Sequence, residues 1–382
     1  MKKYIVYGTG INAVKFLLEY GLDCIDFFIE EKKELKEFYG KPVLSLSNMI
    51  WDKTKMIVVA SSDTVYFQIK KTLERYGVSE FSDFIYYRLL NKKIACIYGN
   101  CHTIPIRKGL ELSKEFNDIY GFYPLKQIQQ MQSGEEFNQE LEVLKYCDLF
   151  IHQSIRMDNV YGENYSSCFL LSKLKTSCTV IAIPNLYGLS KCFFPNTSNK
   201  KTIFHGEKPY IFNYFPFRDS NIEKAYRQGK SIHQIVGLIE DPETINSLYI
   251  QQMFSKFIDK IETREIDWDI KISTFIKTNY NKIQLFYDPN HPTNELIYYI
   301  TSKLFSILSL DEVDLKRFNI LKLDSYEMPI YSAVKRSLNL NDTYKYLRCY
   351  SMNTLNLNAM SLEEYVQQYI AWNCILDQKD WE

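Results

Sequence analysis

At 382 residues the chain exceeds the ~100–200 residues usual for one domain, so at least two domains are expected. Apolar residues at 46% and charged residues at 24% match a globular protein and exclude disordered and collagen-like chains. The 46 basic and 46 acidic residues cancel, which leaves no global attraction for nucleic acid or an anionic membrane.

The opening MKKYIVYGTG has no apolar run long enough for a signal peptide, and no stretch of the chain approaches the ~20 apolar residues of a membrane helix. The nine cysteines form no CxxC and no Cys/His cluster with zinc spacing. Reduced thiols in a cytoplasmic protein are therefore expected, with neither a metal site nor a disulfide scaffold.

Strand and helix signals alternate from the start. Tyr4–Tyr7, Cys24–Ile29, Met56–Ala60 and Phe81–Tyr87 read as strands, Ile11–Tyr20 and Val65–Tyr76 as helices, and GKPV at Gly40–Val43 as a short edge element. This alternation implies parallel βαβ units. GTGINA follows the first strand and opens a helix, the setting in which Gly8 and Gly10 let backbone approach a phosphate at a helix N-terminus. Ala13 takes the third glycine's place, and Glu30 is positioned to meet a ribose hydroxyl. Glycine also suits any tight βα turn, so a purely structural origin competes with nucleotide binding. The arrangement resembles the small Rossmann-like N-terminal domains of bacterial polysaccharide-modifying enzymes, GKPV included.

The pattern restarts after RLLNKK. Ile94–Tyr98, Leu149–His152, Thr179–Ile183 and Gln284–Tyr287 read as buried strands, with helical runs at Ile104–Phe116 and Asn294–Leu308. The interval from Asn185 to Lys282 reads as largely helical, and Leu362–Leu376 as a C-terminal helix. The expected division is a Rossmann-like domain over 1–91, a catalytic α/β domain with large helical insertions over 92–310, and a helical extension over 311–382.

Three of these segments carry chemistry. In IACIYGNCHT, Cys101 lies between a strand and a helix start, where about half a positive charge favours a thiolate. In QLFYDPNHPT, Asp288 and His291 stand at i and i+3 on a turn restricted by Pro289 and Pro292. A carboxylate beside an imidazole sets its tautomer and stabilises its cation, as a base serving a nucleophile requires. In DLFIHQSIR, the Gln153 amide is placed to donate to an oxyanion and Arg156 to bind a phosphate. Asn100 and His102 flank the nucleophile and join Gln153 as candidates for oxyanion and substrate contacts. A parallel sheet presents the carboxyl ends of its strands along one edge, where these groups can converge. A lone cysteine after a strand, or a histidine in a proline turn, is otherwise an ordinary structural residue. His152 inside an apolar strand reads as a core histidine, His205 and His233 as surface residues, and Lys200–Lys201 as a solvated pair able to meet a phosphate.

GNCH at Gly99–His102, DLFIHQ at Asp148–Gln153, IPNLY at Ile183–Tyr187 and DPNHPT at Asp288–Thr293 together resemble the WcbI-type family of capsular-polysaccharide acetyltransferases, over roughly Lys92 to Leu310. Motif order also resembles the SGNH hydrolase scheme, with Cys101 at the serine position and Asp288 and His291 in the terminal motif. Two positions depart: Gln153 stands where the oxyanion asparagine usually comes, and His102 where the family has GNCQ. The resemblance implies coenzyme A or acetyl-CoA as substrate and acetyl transfer to a sugar hydroxyl of a surface polysaccharide or its precursor. An esterase of the same fold, and a non-catalytic protein binding coenzyme A or a nucleotide sugar, are the competing readings. No nucleic-acid partner is expected, and a homo-oligomer is left open.

Overall fold

The computed structural model describes residues 3–31, 35–49, 52–130, 141–159, 161–199, 204–205, 208–209, 215–318, 326–341, 347–350 and 357–376. It is a mixed α/β protein with parallel sheets and many helices, as the alternating pattern implied. The chain divides into two compact units, one of residues 1–98 and 114–181, the other of residues 99–113 and 182–382.

The first unit opens with β1 (Tyr4–Tyr7), α1 (Ile11–Tyr20), β2 (Ile25–Glu30), β3 (Glu37–Phe38), β4 (Lys41–Ser45), β5 (Met56–Val59), α2 (Asp63–Arg75) and β6 (Phe84–Tyr86). These strands form one sheet in the order β3-β4-β2-β1-β5-β6, parallel but for β3, which is a Rossmann-like arrangement. Its central residues Ile5, Val6, Ile57 and Val58 are wholly buried, as strands covered on both faces must be. GKPV does not form the edge: β4 pairs with β2, and the two-residue β3 lies outside it.

A second sheet has the order β10-β9-β7-β8, built from β7 (Lys93–Tyr98), β8 (Tyr120–Phe122), β9 (Leu149–Gln153) and β10 (Thr179–Ile183). In the sequence β8 carries no signal of its own, being three residues beside a helical run. The expected helix Ile104–Phe116 is two, α3 (Thr103–Glu111) and α4 (Lys114–Ile119).

One hydrophobic core runs through the first unit from Tyr4 to Leu170 and includes both sheets. The boundary after Asn91 therefore falls inside that core. Tyr123 packs on Tyr66 at 5.8 Å and Phe67 at 6.0 Å between ring centroids. A Cβ on Gly121 would stand 2.0 Å from the Arg88 carbonyl oxygen, so only glycine lets β8 lie against that backbone. A fragment starting at Lys92 should accordingly be insoluble or lack a cooperative melting transition, because the cut strips the aromatic cover from Tyr123. A soluble fragment with a sharp transition by circular dichroism would refute this.

The second unit is mostly helical. Among its described residues are helices Ser220–Arg227, Ile232–Glu240, Ser247–Arg264, Ser273–Asn279, Asn294–Ile307 and Leu362–Tyr369, the last continued by a π-helix, Ile370–Leu376. The expected strand Gln284–Tyr287 is not formed. Phe286 makes a single antiparallel bridge to Pro292, while the Tyr287 N–H donates to the His291 carbonyl (2.9 Å) and the Thr293 N–H to the Leu285 carbonyl (2.9 Å). The proline-restricted turn folds the segment back on itself instead of into a sheet.

Candidate active site

The cysteine turn is held from within and from distant segments. Oδ1 of Asn100 accepts the His102 N–H (3.0 Å), and the Asn100 carbonyl accepts both the Thr103 N–H (3.0 Å) and the Thr103 hydroxyl (2.8 Å). Nδ2 of Asn100 donates to Oδ1 of Asn185 (3.2 Å), which ties the turn to the IPNLY segment. Asn100 thus closes the turn that presents Cys101, whose side chain is half-buried. The His102 N–H is engaged by Asn100 and is not free to meet an oxyanion.

The second element is the Asp288–His291 turn. The Asp288 carboxylate is fully buried. Its Oδ1 accepts the N–H groups of Asn290 (2.7 Å) and His291 (2.9 Å), and its Oδ2 accepts Nδ1–H of His291 (2.7 Å). The Ser190 hydroxyl donates to the Asp288 carbonyl (3.0 Å). With Nδ1 committed to Asp288, Nε2 of His291 is left free of the carboxylate, and Cys101 lies close enough to the ring to interact with it electrostatically. Burial works against a charge on His291, but Asp288 and Cys101 outweigh it and push the pKa up to about 10.

Helix packing brings these turns together. His102 precedes α3 and donates Nε2–H to the carbonyl of Asn290 (2.8 Å), which precedes the helix Asn294–Ile307. Two turns along, a Cβ on Gly109 of α3 would stand 2.8 Å from Cγ2 of Thr301 on that helix. Contacts at both points mean that the helices run side by side in one direction, so their N-terminal turns place Cys101 and His291 together. Gly109→Val should force the helices apart, at about 1–3 kcal/mol of stability, with loss of the Cys101–His291 contact. Unchanged melting of the variant would show that the close approach is not required.

A family model described as polysaccharide biosynthesis enzyme WcbI matches residues 94–312, more than half of the chain. The chain belongs to the WcbI family. No curated protein matches. A solved structure of WcbI, a polysaccharide biosynthesis enzyme in its native form without the disulfide bond between coenzyme A and one of its cysteines, has the same fold at a TM-score of 0.58. It is 20% identical and covers 74% of this chain and 89% of its own.

Within this member of the WcbI family, the second unit gathers Asn100, Cys101, His102, Asp288 and His291, while the other predicted residues belong to the first. Gln153 ends β9 fully buried, with β9 the parallel neighbour of β7 and His152 opposite Tyr98. His152 is buried and stacks on Phe150, as a core histidine does. Arg156 is exposed and pairs with Asp158. Gly8 has a φ of 106°, and its Cβ would stand 3.1 Å from the Ala60 carbonyl, so close strand packing accounts for it. Gly10 caps α1 with open space around it, and Glu30 accepts a hydrogen bond from Thr9. Lys200 and Lys201 lie outside the described residues, as does the side chain of His205; His233 is exposed. Among the described residues no group of three metal-ligating side chains is gathered, and no helix is long and apolar enough to cross a membrane.

His102 differs from its expected role. Burial, aided by the charge of His291, pulls its pKa down to about 3 against the opposing hydrogen bond to Asn290. The ring is neutral, and its single N–H is spent on Asn290, so it has none for an oxyanion. The unfolded state binds a proton at His102 near pH 6.5, whereas the native state does so only near 3, so this residue removes stability as pH falls through that window. His291 acts oppositely: its stabilisation is full below about 6.5 and is lost as pH rises through about 10. Chemical denaturation across pH should show stability falling on both flanks, with His102→Gln relieving the acid flank alone. An unchanged acid flank in that variant would refute the assignment. Sequence reasoning missed Asn185, Ser190 and Asn290. Asn185 and Asn290 lie inside quoted motifs, whereas Ser190 has no local signal because its partner is 98 residues away.

Proposed function

We propose that this protein is an acetyl-CoA-dependent O-acetyltransferase acting on a sugar of a bacterial surface polysaccharide or its precursor, through a Cys101–His291–Asp288 acyl-enzyme mechanism. The observation that carries this reading is the buried Asp288 carboxylate fixing Nδ1 of His291, with Cys101 near enough to help raise the pKa of that ring. Such an arrangement moves a thiol proton onto imidazole.

In this mechanism His291 accepts the thiol proton, and the Cys101 sulfur attacks the acetyl carbonyl of acetyl-CoA. The oxyanion is met by the Cys101 N–H, and Gln153 at the end of β9 stays the candidate second donor. Collapse expels the coenzyme A thiolate, which takes the proton back from His291. Thioester exchange is close to thermoneutral, so a thiol nucleophile suits a thioester donor. Acetylation removes one of the two groups that raise the His291 pKa. The ring is then a free base that takes the proton of the attacking sugar hydroxyl, and Cys101 leaves as thiolate.

A coenzyme A ligand is supported by the solved WcbI structure, the native protein without a disulfide bond between coenzyme A and one of its cysteines. Arg156, Gly8 and Gly10 stay as candidate phosphate contacts. The domain division at residues 91 and 310 is likewise proposed as a division of labour, with the chemistry after Lys92. Intact-protein mass spectrometry after incubation with acetyl-CoA tests donor and nucleophile together: one acetyl group on Cys101 is expected. Acetate released equally with and without sugar acceptor would favour the esterase, and coenzyme A binding without any adduct or turnover the non-catalytic reading.

A further inference from the structure

His102 lies beside the Cys101–His291–Asp288 set but takes no part in its proton transfers. It is 1% exposed, and only one of its ring nitrogens has a partner: Nε2–H donates to the Asn290 carbonyl (2.8 Å), while Nδ1 is buried without one. Its ring stands edge-on to His291, with centroids 6.1 Å apart and planes at 76°. Donor and acceptor are 188 residues apart in the chain. Asn290 sits between Asp288 and His291, and its own N–H is held by Oδ1 of Asp288. A displacement of the Asn290 carbonyl therefore carries the carboxylate and the imidazole with it.

We propose that His102 is a positioning residue, its Nε2–H fastening the Asp288–His291 turn to the cysteine turn so that His291 meets Cys101. This inference rests on the Cys–His–Asp reading above. Three groups face His291: Asp288, Cys101 and His102 itself. A charged His102 would oppose the His291 cation and would bury an Nδ1–H with no acceptor, so the clamp works as a neutral donor. Its requirement is a single N–H three bonds beyond Cβ. Glutamine offers an N–H at that reach, whereas leucine fills similar volume with no donor.

The test is alkylation of Cys101 by iodoacetamide across pH, quantified by peptide mass spectrometry with the other cysteines as internal references. It needs no substrate. In His102→Leu, the rate near neutral pH should fall ~10- to 100-fold and the profile should move to higher pH, because the imidazole no longer meets the thiol. His102→Gln should keep the wild-type profile. A wild-type profile in His102→Leu overturns the proposal, as does a glutamine variant as impaired as the leucine one. A His291→Asn profile equal to wild type instead overturns the Cys–His pair itself, which separates the two failures. Should the leucine variant not fold, ring nitrogen NMR of the wild type decides: His102 should stay neutral with its proton on Nε2 across the neutral range, and a proton on Nδ1 or a titration there overturns the clamp.

Discussion

Replacing Cys101 by alanine is expected to abolish both the acetyl adduct and transfer to sugar while leaving the fold intact. Cys101 is half-buried on a turn whose geometry depends on Asn100 and Asn185, not on its own side chain, so the thiol can be removed without unmaking the turn. Three of the remaining thiols are poorly suited to replace it. Cys192 is fully buried and burial pushes its pKa up; in Cys147 a hydrogen bond with the Cys178 thiol opposes the rise but the Cys96 thiol and burial outweigh it, and in Cys178 the Cys147 thiol and burial both push the pKa up. Cys101 lies beside the carboxylate-paired imidazole, which makes it the expected entry of a covalent route. The measurement is intact mass after acetyl-CoA treatment, together with product formation. Full activity in Cys101→Ala would sink the acyl-enzyme mechanism, and an adduct on another cysteine would relocate it.

His291→Ala should cost ~10²–10⁴-fold in rate, the usual range for a general base. Asp288→Asn should cost nearly as much. The asparagine oxygen can still accept the N–H groups of Asn290 and His291, so the turn survives. Its amide nitrogen, however, would donate to Nδ1 of His291 where the carboxylate accepts. The ring then carries its proton on Nε2, facing Cys101, and cannot take another from the thiol. A modest loss in Asp288→Asn, far smaller than in His291→Ala, would mean that Asp288 only orients the ring. Steady-state rates of both variants, with circular dichroism to check the fold, decide between these outcomes.

How these groups reach one another differs from the expected route. A parallel sheet edge was the anticipated meeting place; β7 leads into the cysteine turn, and Gln153 ends β9, the parallel neighbour of β7. His291 arrives by helix packing instead, because its segment forms a turn bridged to itself and the helix after it lies against α3 at Gly109.

Features written in neighbouring residues were legible from the chain. The first sheet follows from short apolar runs alternating with helical periods, since a doubly covered strand shows its burial in its own residues. The Asp288–His291 pair follows from an i, i+3 spacing in a turn that two prolines restrict. Cys101 stood out because glycine, nucleophile and helix start lie within five residues, Gly99 to Thr103. What escaped was set by contacts distant in sequence. Ser190 holds the Asp288 carbonyl, and His102 holds Asn290, across 98 and 188 residues. The protonation of the two histidines also escaped, since both have the same ordinary pKa in a peptide. Burial without a countercharge keeps His102 neutral, and burial beside Asp288 and Cys101 makes His291 the stronger base. Such differences arise only when the fold removes water and chooses the neighbours.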